Sequence, residues 1–221
     1  MRAVRQGRLV AFLLLFLLTA AVPLARQAAA QGAPGVKLEA GRLLVASRKM
    51  RDPRFAKSVI LILRYEEQGA LGLIVNQPTV VLLADLLPEV KDLKERGDRV
   101  YLGGPVDKNG MMFLLRSDSP PADARRIFAD VYVGAGRERF DEVIVQDGAR
   151  FRSYVGYAGW APGQLEGELK REDWHVLPGD ADVVFSSSPE GVWDNLIKKT
   201  EVFFASLGPY AGPLPGSRAR L

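Results

Sequence analysis

The segment from residue 154 to residue 169 constrains the fold more than any other part of this sequence. It holds four glycines, one proline and one tryptophan. Its first residues, 154–157, predict a short strand, and the chain turns at Gly159-Trp160-Ala161. Pro162 predicts the start of a helix, because proline suits the first helical position. The segment therefore joins a strand to a helix through a tight turn.

Residue spacing gives this predicted helix two distinct faces. Leu165 and Leu169 lie four positions apart and share one face, which we expect to pack on a core. Gln164 and Glu168 share another face, beside Trp160. An aromatic wall with two polar groups is a common style of pocket, so these three residues could line a ligand site. The alternative is structural, with the tryptophan filling a corner and Gln164 bonded to the backbone.

The first thirty residues have the order of a secretory signal peptide. Arginines near the start precede an apolar run over residues 9–25, and Ala28-Ala29-Ala30 follows. A charged start, an apolar middle and small residues at a cleavage position are typical of such a leader. We expect cleavage near Ala30 and a periplasmic or secreted protein that meets the membrane only through its leader. The alternative is a membrane anchor over residues 9–25, a run that is short for a span and interrupted by Pro23.

Removal of this leader changes the net charge of the chain. The full sequence has 30 Lys and Arg residues against 26 Asp and Glu residues. The leader holds four arginines and no acid, which leaves 26 basic against 26 acidic residues. A neutral chain lacks the basic excess that supplies most non-specific affinity for nucleic acid. Nucleic acid is therefore not an expected partner.

Residue types also limit the chemistry that is open to this chain. The sequence has no cysteine and one histidine, His175, which we expect at the surface or at a sheet edge. No motif with the spacing of a nucleophile elbow, a metalloprotease helix or a phosphate loop occurs. Glu166 and Glu168 lie about 200° apart around a helix, so they do not face each other, and Glu166 is expected to pair with Lys170. We assign no catalytic residue, no metal site and no cofactor.

Apolar runs separated by turn residues predict the remaining elements. Strands are predicted at residues 42–47, 57–64, 70–76, 99–102, 111–116, 127–133, 151–157, 174–177 and 183–185. The second and third strands are expected to form a hairpin, and the fourth and fifth to pair across a turn at 108–110. Helices are predicted at residues 81–87, 137–145 and 189–207, the last with Val192, Leu196 and Phe203 in a core. This mixture without regular alternation indicates an α+β fold.

Two strand ends carry alternatives of their own. Gly103-Gly104 could hold an anion through backbone N–H groups. The same glycines could instead permit a positive φ or close packing. Asn76 comes directly before Gln77-Pro78, and it could contact a ligand or form a turn.

Four segments in this order resemble the AlgH/YqgE-like family of poorly characterised bacterial proteins. They are residues 41–47 with 52–55, residues 69–79, residues 101–106, and residues 156–169 followed by Trp174. The resemblance implies a single compact domain with a mixed, mostly antiparallel, branched β-sheet flanked by helices. It implies no catalytic mechanism, and some members are labelled as transcriptional regulators. Typical members look cytoplasmic, whereas this chain has a leader, and an exported chain does not meet chromosomal DNA.

The leader pattern, the composition of the tail and the family resemblance together predict how the chain is divided. We predict a signal peptide over residues 1–30, a linker over 31–37, an AlgH/YqgE-like domain over 38–207 and a flexible tail over 208–221. The tail is rich in proline and glycine, which is typical of a poorly ordered segment.

The leading functional hypothesis is a non-enzymatic binding or adaptor module whose partner is a protein or a small molecule. Its candidate binding surface consists of residues near strand ends that we expect to converge: Asp52, Arg54, Asn76, Gly103, Gly104, Trp160, Gln164 and Glu168. One alternative is an enzyme of unknown class that uses Glu168 or Asp52 as an acid or base. The other is a transcriptional regulator, as the family label suggests.

Overall fold

Five consecutive apolar residues, 59–63, lie at the centre of the sheet, and none of their side chains is exposed to solvent. They belong to strand β2 (Val59–Glu66), which pairs antiparallel with β1 (Leu43–Ala46) and with β3 (Gly69–Ile74). Because both faces of β2 are covered in this stretch, its sequence is continuously apolar and does not alternate. The predicted hairpin of β2 and β3 is confirmed.

The structure is a computed structural model that describes residues 37–121, 124–136 and 150–206, with side chains to residue 202. The remaining strands are β4 (Pro78–Leu82), β5 (Arg99–Leu102), β6 (Val106–Arg116), β7 (Arg125–Phe128), β8 (Val131–Ala135), β9 (Arg150–Trp160) and β10 (Trp174–Leu177). The α-helices are α1 (Leu83–Leu86), α2 (Gln164–Lys170), α3 (Ala181–Val184) and α4 (Val192–Ser206). Short 3₁₀ helices occur at Pro53–Phe55, Lys91–Leu93 and Pro189–Gly191.

Strand β9 is the branch point of the sheet, because it pairs with three other strands. It runs antiparallel to β6 and parallel to β5, and its last residues, 158–160, pair antiparallel with β3. The main path of the sheet is β10-β1-β2-β3-β9-β6-β8-β7, and β4 joins this path through β5. Apart from β5–β9, every strand pair in the described ranges is antiparallel.

The architecture is thus a mostly antiparallel sheet with a few helices. It is compatible with the predicted α+β class, although strands dominate. Among the described helices, none is long and apolar enough to cross a membrane. The leader (1–30), the tail (208–221) and the predicted helix at 137–145 lie outside the described residues, so the division of the chain stays a prediction.

Helix α4 packs on the main core of the sheet. Val192, Trp193, Leu196 and Ile197 are all buried in it, and the Trp193 indole Nε1 donates to the Ala46 carbonyl at 2.7 Å. The predicted core positions at 192 and 196 are confirmed, while the side chain at 203 lies outside the described part. A second, smaller apolar cluster lies beneath α1, around Leu83 and Phe113.

The predicted pairing of β5 with residues 111–116 is wrong. Strand β6 runs through the predicted turn at 108–110, and it pairs with β8 and β9. The register against β9 shifts between Val106 and Met111, so the turn residues become an irregularity inside one strand. Strand β5 pairs instead with β4 and, in parallel, with β9.

Two other strand predictions are wrong for local reasons. Residues 127–133 form parts of two strands, β7 and β8, because the chain reverses at Ala129, whose φ is +42°. Residues 183–185 fall in and after helix α3. Its cap is Asp180, whose carboxylate accepts from the backbone N–H groups of Asp182 and Val183.

Two helix starts also differ from the predictions. The helix expected from residue 81 begins at Leu83, because residues 78–82 form strand β4 against β5. Helix α2 begins at Gln164, two positions later than Pro162 suggested. Its cap is Gly163, whose φ of +74° suits glycine better than other residues.

Candidate functional site

The end of β9 and helix α2 share a hydrogen-bond network centred on one carboxylate. Glu168 Oε2 accepts from the indole Nε1 atoms of Trp160 and Trp174, each at 2.8 Å. Its Oε1 accepts from Gln164 Nε2 at 3.0 Å, and Gln164 Oε1 accepts from the backbone N–H of Ala161. Trp160 is 5% exposed, so its ring belongs to the core. The carboxylate therefore joins the helix to two strands.

Asp52 directly precedes the 3₁₀ helix Pro53–Phe55 beside this network, and Arg54 lies within it. Asp52 Oδ1 caps that helix by accepting from the Arg54 backbone N–H, and the guanidinium forms an ion pair with the same carboxylate at 2.6 Å. These bonds from Arg54 lower the pKa of Asp52 below its usual value. Phe55 then packs on Trp160 and Trp174, with ring centroids 6.3 and 5.7 Å away.

The buried side chain of Asn76 connects two chain segments through hydrogen bonds. Its Oδ1 accepts from the Val59 backbone N–H at 2.7 Å, and its Nδ2 donates to the Lys57 carbonyl at 3.0 Å. Only 6% of the residue is exposed. The amide thus supplies partners to one backbone N–H and one carbonyl at the start of β2.

Gly103 and Gly104 lie directly against the backbone of β9. A Cβ atom on Gly103 would lie 2.3 Å from the Gly156 carbonyl oxygen, and one on Gly104 would lie 2.1 Å from the Tyr157 carbonyl carbon. The Gly103 N–H already donates to the Val155 carbonyl at 2.9 Å. These contacts fit the close-packing alternative for the glycine pair.

The eight residues of the predicted surface therefore fall into local groups. Trp160, Gln164 and Glu168 are bonded to one another, and the Asp52–Arg54 pair reaches them through Phe55. Asn76 and the two glycines are held by other segments, and no hydrogen bond within the described ranges joins Gly104 to Trp160. Convergence of all eight on one surface stays a prediction.

A cleft that the sequence did not indicate lies between β5, β9 and the loop before α4. Its volume is about 430 Å³, within the range of small-molecule sites. We call it the Arg152 cleft. Its lining residues come from four separate stretches of chain: Pro78, Gly97, Asp98, Arg99, Tyr101, Phe151, Arg152, Ser153, Ser186, Ser187, Pro189 and Glu190.

Arg152 holds three segments together at this cleft. Its Nη1 donates to the carbonyls of Val75 and Val184, at 3.2 and 2.6 Å, and its Nη2 donates to the Ser186 carbonyl. The guanidinium carbon also lies 4.6 Å from the centroid of the Tyr101 ring. The arginine therefore positions the serine loop that forms one wall.

Two hydroxyls near Arg152 are buried without a hydrogen-bond partner among the described residues, those of Ser153 and Tyr154. A buried polar group without a partner is unusual in folded proteins. Ser153 contributes to the cleft wall and is 1% exposed. Burial raises the pKa of Tyr154 and of its neighbour Tyr101, so both hydroxyls stay protonated at neutral pH.

A partial signal for this cleft exists in the sequence. Arg152 is a charged residue inside a strand whose neighbours are largely buried, and such a residue needs a partner. Its partners lie at positions 75, 184 and 186, which only the tertiary fold brings together.

The arrangement supports binding more directly than it supports a reaction. Within the described ranges, no group of three or more acidic or histidine side chains could hold a metal ion. His175 lies on β10, at the far end of the sheet path, and burial lowers its pKa. The cleft offers hydroxyls, aromatic rings and a guanidinium, which are groups that orient a ligand.

Comparison with known proteins identifies the family of this chain and several related sequences. A sequence model described as AlgH-like matches residues 43–205. The chain belongs to the AlgH-like family. A UPF0301 protein of Streptomyces avermitilis is 33% identical over 176 residues, covering 77% of this chain and 91% of that protein. A UPF0301 protein of Methylococcus capsulatus is 37% identical over 163 residues, covering 72% and 89%.

Two solved structures have a fold similar to that of this chain. The solution structure of the AlgH protein from Pseudomonas aeruginosa matches with a TM-score of 0.62 and 26% identity, over 83% of this chain and 99% of that one. The crystal structure of protein DIP2367 from Corynebacterium diphtheriae matches with a TM-score of 0.63 and 24% identity, over 74% and 88%. At 24% identity the second similarity concerns the fold alone.

The Glu168 network makes a testable contribution to stability. We expect Glu168→Gln to lower the free energy of unfolding by about 2 kcal/mol, because one amide cannot replace an oxygen that accepts two indole N–H groups and another that accepts from Gln164. Urea unfolding followed by tryptophan emission measures the loss. Glu166→Gln on the same helix is the matched control, since an amide oxygen can still accept from Tyr65. Equal stability of both variants would contradict the role of Glu168.

Tyr65 should make stability depend on pH in the alkaline range. Its hydroxyl donates to Glu166 Oε1 at 2.5 Å, in place of the lysine partner predicted for that glutamate, and this bond raises the pKa of Tyr65 from 10.0 to about 12. Because the folded pKa lies above the unfolded one, the contribution is complete below pH 10 and disappears as pH rises through 12.

The corresponding measurement compares wild type with Tyr65→Phe. Urea midpoints taken below pH 10 and near pH 12 should fall more steeply for wild type, because the phenylalanine variant lacks this titrating group. Other buried tyrosines titrate in both proteins, so their contribution to the pH dependence of stability is the same in wild type and in Tyr65→Phe. The same slope in both proteins would exclude the Tyr65–Glu166 bond as a source of pH dependence.

Proposed function

We propose that this chain is a non-enzymatic ligand-binding module that acts outside the cytoplasm and binds its ligand in the Arg152 cleft. One observation carries the proposal: a cleft of about 430 Å³ in which residues from four stretches of chain converge. Concave sites of this size with a few convergent polar groups are the usual form of small-molecule sites. The family relationship supplies no activity, so the proposal depends on this geometry.

The contacts of the two candidate acid–base residues support a non-enzymatic role. Glu168 accepts hydrogen bonds from two indoles and from Gln164. Asp52 is bound to Arg54, which lowers its pKa, so it stays ionised at neutral pH. A carboxylate that is already engaged in this way is poorly placed to exchange protons with a substrate.

Export is supported by the pattern of the first thirty residues. The expected result is a native protein that starts near Gln31 and is recovered from the periplasmic or secreted fraction. Mass spectrometry of the N-terminus tests this directly. A cytosolic protein with an intact Met1 would contradict export and would restore the regulator alternative.

Blocking the cleft tests the ligand-binding role. Ser187 lines the cleft and is exposed, so Ser187→Trp should fill it without disturbing the core. Ser119→Trp is the matched control, because Ser119 is exposed and lies outside the cleft. Both variants are screened by thermal unfolding against a panel of metabolites.

A ligand at about 100 times its Kd should raise stability by about 2.7 kcal/mol, or the Tm by about 5–10 °C for a domain of this size. We expect this shift in wild type and in Ser119→Trp, and no shift in Ser187→Trp. A ligand that stabilises all three proteins equally would place binding elsewhere. A panel without any stabilising compound would count against a small-molecule role.

A further inference from the structure

The lining of the Arg152 cleft has two basic residues, Arg99 and Arg152, and two acidic residues, Asp98 and Glu190. Asp98 is ion-paired with Arg96 at 2.6 Å, and Glu190 faces Arg99 at 3.9 Å. Arg152 has no carboxylate partner within the described part of the chain, where its guanidinium donates to carbonyl oxygens. Among the described residues, Arg152 is therefore the one charged side chain of the lining without an ion-pair partner, although the four charges of the lining sum to zero.

The three carbonyls fix Arg152 in place without removing its charge. A carbonyl is a dipole, so it orients a guanidinium and leaves the formal charge intact. Tyr101 and Phe185 lie against the guanidinium, with ring centroids 4.6 and 6.0 Å from its central carbon. In such a partly desolvated position, the attraction between this charge and an anion is stronger than it would be in water.

Two residues with hydroxyl groups line the cleft together with Arg152. The Ser153 hydroxyl is buried in the cleft wall without a partner among the described residues, and the Tyr101 hydroxyl is a protonated donor at neutral pH, with a pKa that burial raises further. Ser187 adds an exposed residue with a hydroxyl at the opening. The loop that carries it continues through Pro189–Gly191 into helix α4, whose N-terminal end has a partial positive charge.

Three other lining residues are flat and apolar, although the Arg96 guanidinium already lies 4.7 Å from the centroid of the Phe151 ring. Phe151 contributes an aromatic ring, and Pro78 and Pro189 contribute pyrrolidine rings. Surfaces of this kind stack against planar apolar groups. The shape therefore favours a ligand with a flat body over a bare inorganic ion.

We infer that the Arg152 cleft binds a small organic anion, a flat apolar body with one carboxylate or phosphate group directed towards Arg152. This inference rests on the proposed function, and it names the chemical class of the ligand. Carboxylate and phosphate share the chemistry that the site recognises, a negative charge with several acceptor oxygens.

Titration followed by NMR of the backbone amides tests the inference. The probes are benzoate and phenyl phosphate, with neutral benzyl alcohol and cationic benzylamine as controls, and with inorganic phosphate to isolate the role of the ring. We expect saturable shifts at the amides of Tyr101, Ser153 and Ser187 with the two organic anions, at a Kd of about 1 mM or tighter. The neutral and cationic controls should leave these amides unchanged.

Two substitutions at the edge of the cleft should change the affinity for organic anions in opposite directions. Arg99 and Glu190 are both exposed, so neither change should disturb the fold. Arg99→Gln should weaken the binding of both organic anions by about 3-fold, and Glu190→Gln should tighten it by about 3-fold, because each removes one unit charge near the anion. Added salt should reduce the difference between the two variants.

Several outcomes would overturn the inference. Equal affinity for benzyl alcohol and benzoate would show that charge is not recognised, and tighter binding of benzylamine would show the opposite preference. If inorganic phosphate bound as tightly as phenyl phosphate, the ring would contribute nothing and the ligand would not need an organic part. The last outcome separates this inference from the proposed function. If no anion binds, but a metabolite stabilises wild type and not Ser187→Trp, this inference is wrong and the proposed function still holds.

Discussion

Gly104→Ala is expected to reduce the free energy of unfolding by about 4 kcal/mol or more, enough to unfold a marginally stable domain. The new Cβ would lie 2.1 Å from the Tyr157 carbonyl carbon and 2.3 Å from the Ala158 nitrogen. Both are backbone atoms of β9, so no side chain can move aside. The φ of Gly104 is +156°, which adds strain for any residue with a Cβ.

Urea unfolding of the purified domain gives the measurement, and a variant recovered only in inclusion bodies counts as the same result. Gly97→Ala is the control, because a Cβ at that position meets nothing within 4 Å. It should change stability by less than about 0.5 kcal/mol. A Gly104→Ala protein as stable as wild type would mean that β9 does not lie against this turn.

Arg152→Met is the second substitution with a large expected effect. Methionine keeps much of the side-chain length, but it leaves the carbonyls of Val75, Val184 and Ser186 without their donor. Hydrogen bonds to a charged group contribute about 1.5–3 kcal/mol each, and water can replace part of that at a half-buried site. We expect a net loss of about 3 kcal/mol.

The same unfolding experiment distinguishes this role from a general effect of removing a charge. Arg64→Met is the control, since Arg64 is an exposed strand residue whose ion pair with Glu66 measures 4.0 Å. Its loss should stay below about 0.5 kcal/mol. Arg152→Lys should be intermediate, because an ammonium keeps the charge and loses the planar fork. Similar losses for Arg64→Met and Arg152→Met would contradict the three-carbonyl role.

Local patterns were sufficient for the elements whose surroundings are uniform. The run at 59–63 predicted a strand covered on both faces, and the structure buries every side chain in it. Leu165 and Leu169 predicted the inner face of α2, and both pack on the main core. In these cases the hydrophobic period and the burial agree, so sequence spacing alone is informative.

Elements that depend on distant partners were predicted less well. Lys108-Asn109-Gly110 has the composition of a turn, but β6 continues through it because β9 and β8 supply partners further along the strand. Residues 183–185 are apolar enough for a strand, and the cap at Asp180 makes them part of a helix and its end. Tertiary context overrides local preference at such positions.

The candidate site shows the same division. The spacing of Gln164 and Glu168 placed both beside Trp160, and the structure joins these residues by hydrogen bonds. It gave no indication that Glu168 also binds Trp174. The Arg152 cleft was not predicted, because its walls come from four stretches of chain that no sequence period connects.

The branch at β9 has a consequence for how the chain reaches its native state. Residues 70–72 pair with residues 158–160, and residues 100–102 pair with residues 153–155. Strands β3, β5 and β6 are synthesised before β9, so their pairing with β9 cannot form until β9 has been synthesised. Each of these pairings closes a long loop of chain. Such non-local pairing raises the entropic barrier to folding and is typical of domains that fold in milliseconds to seconds. A ribosome-bound chain that ends before residue 150 has β1 to β8 but not the strand that connects them, so its edges stay open to other chains.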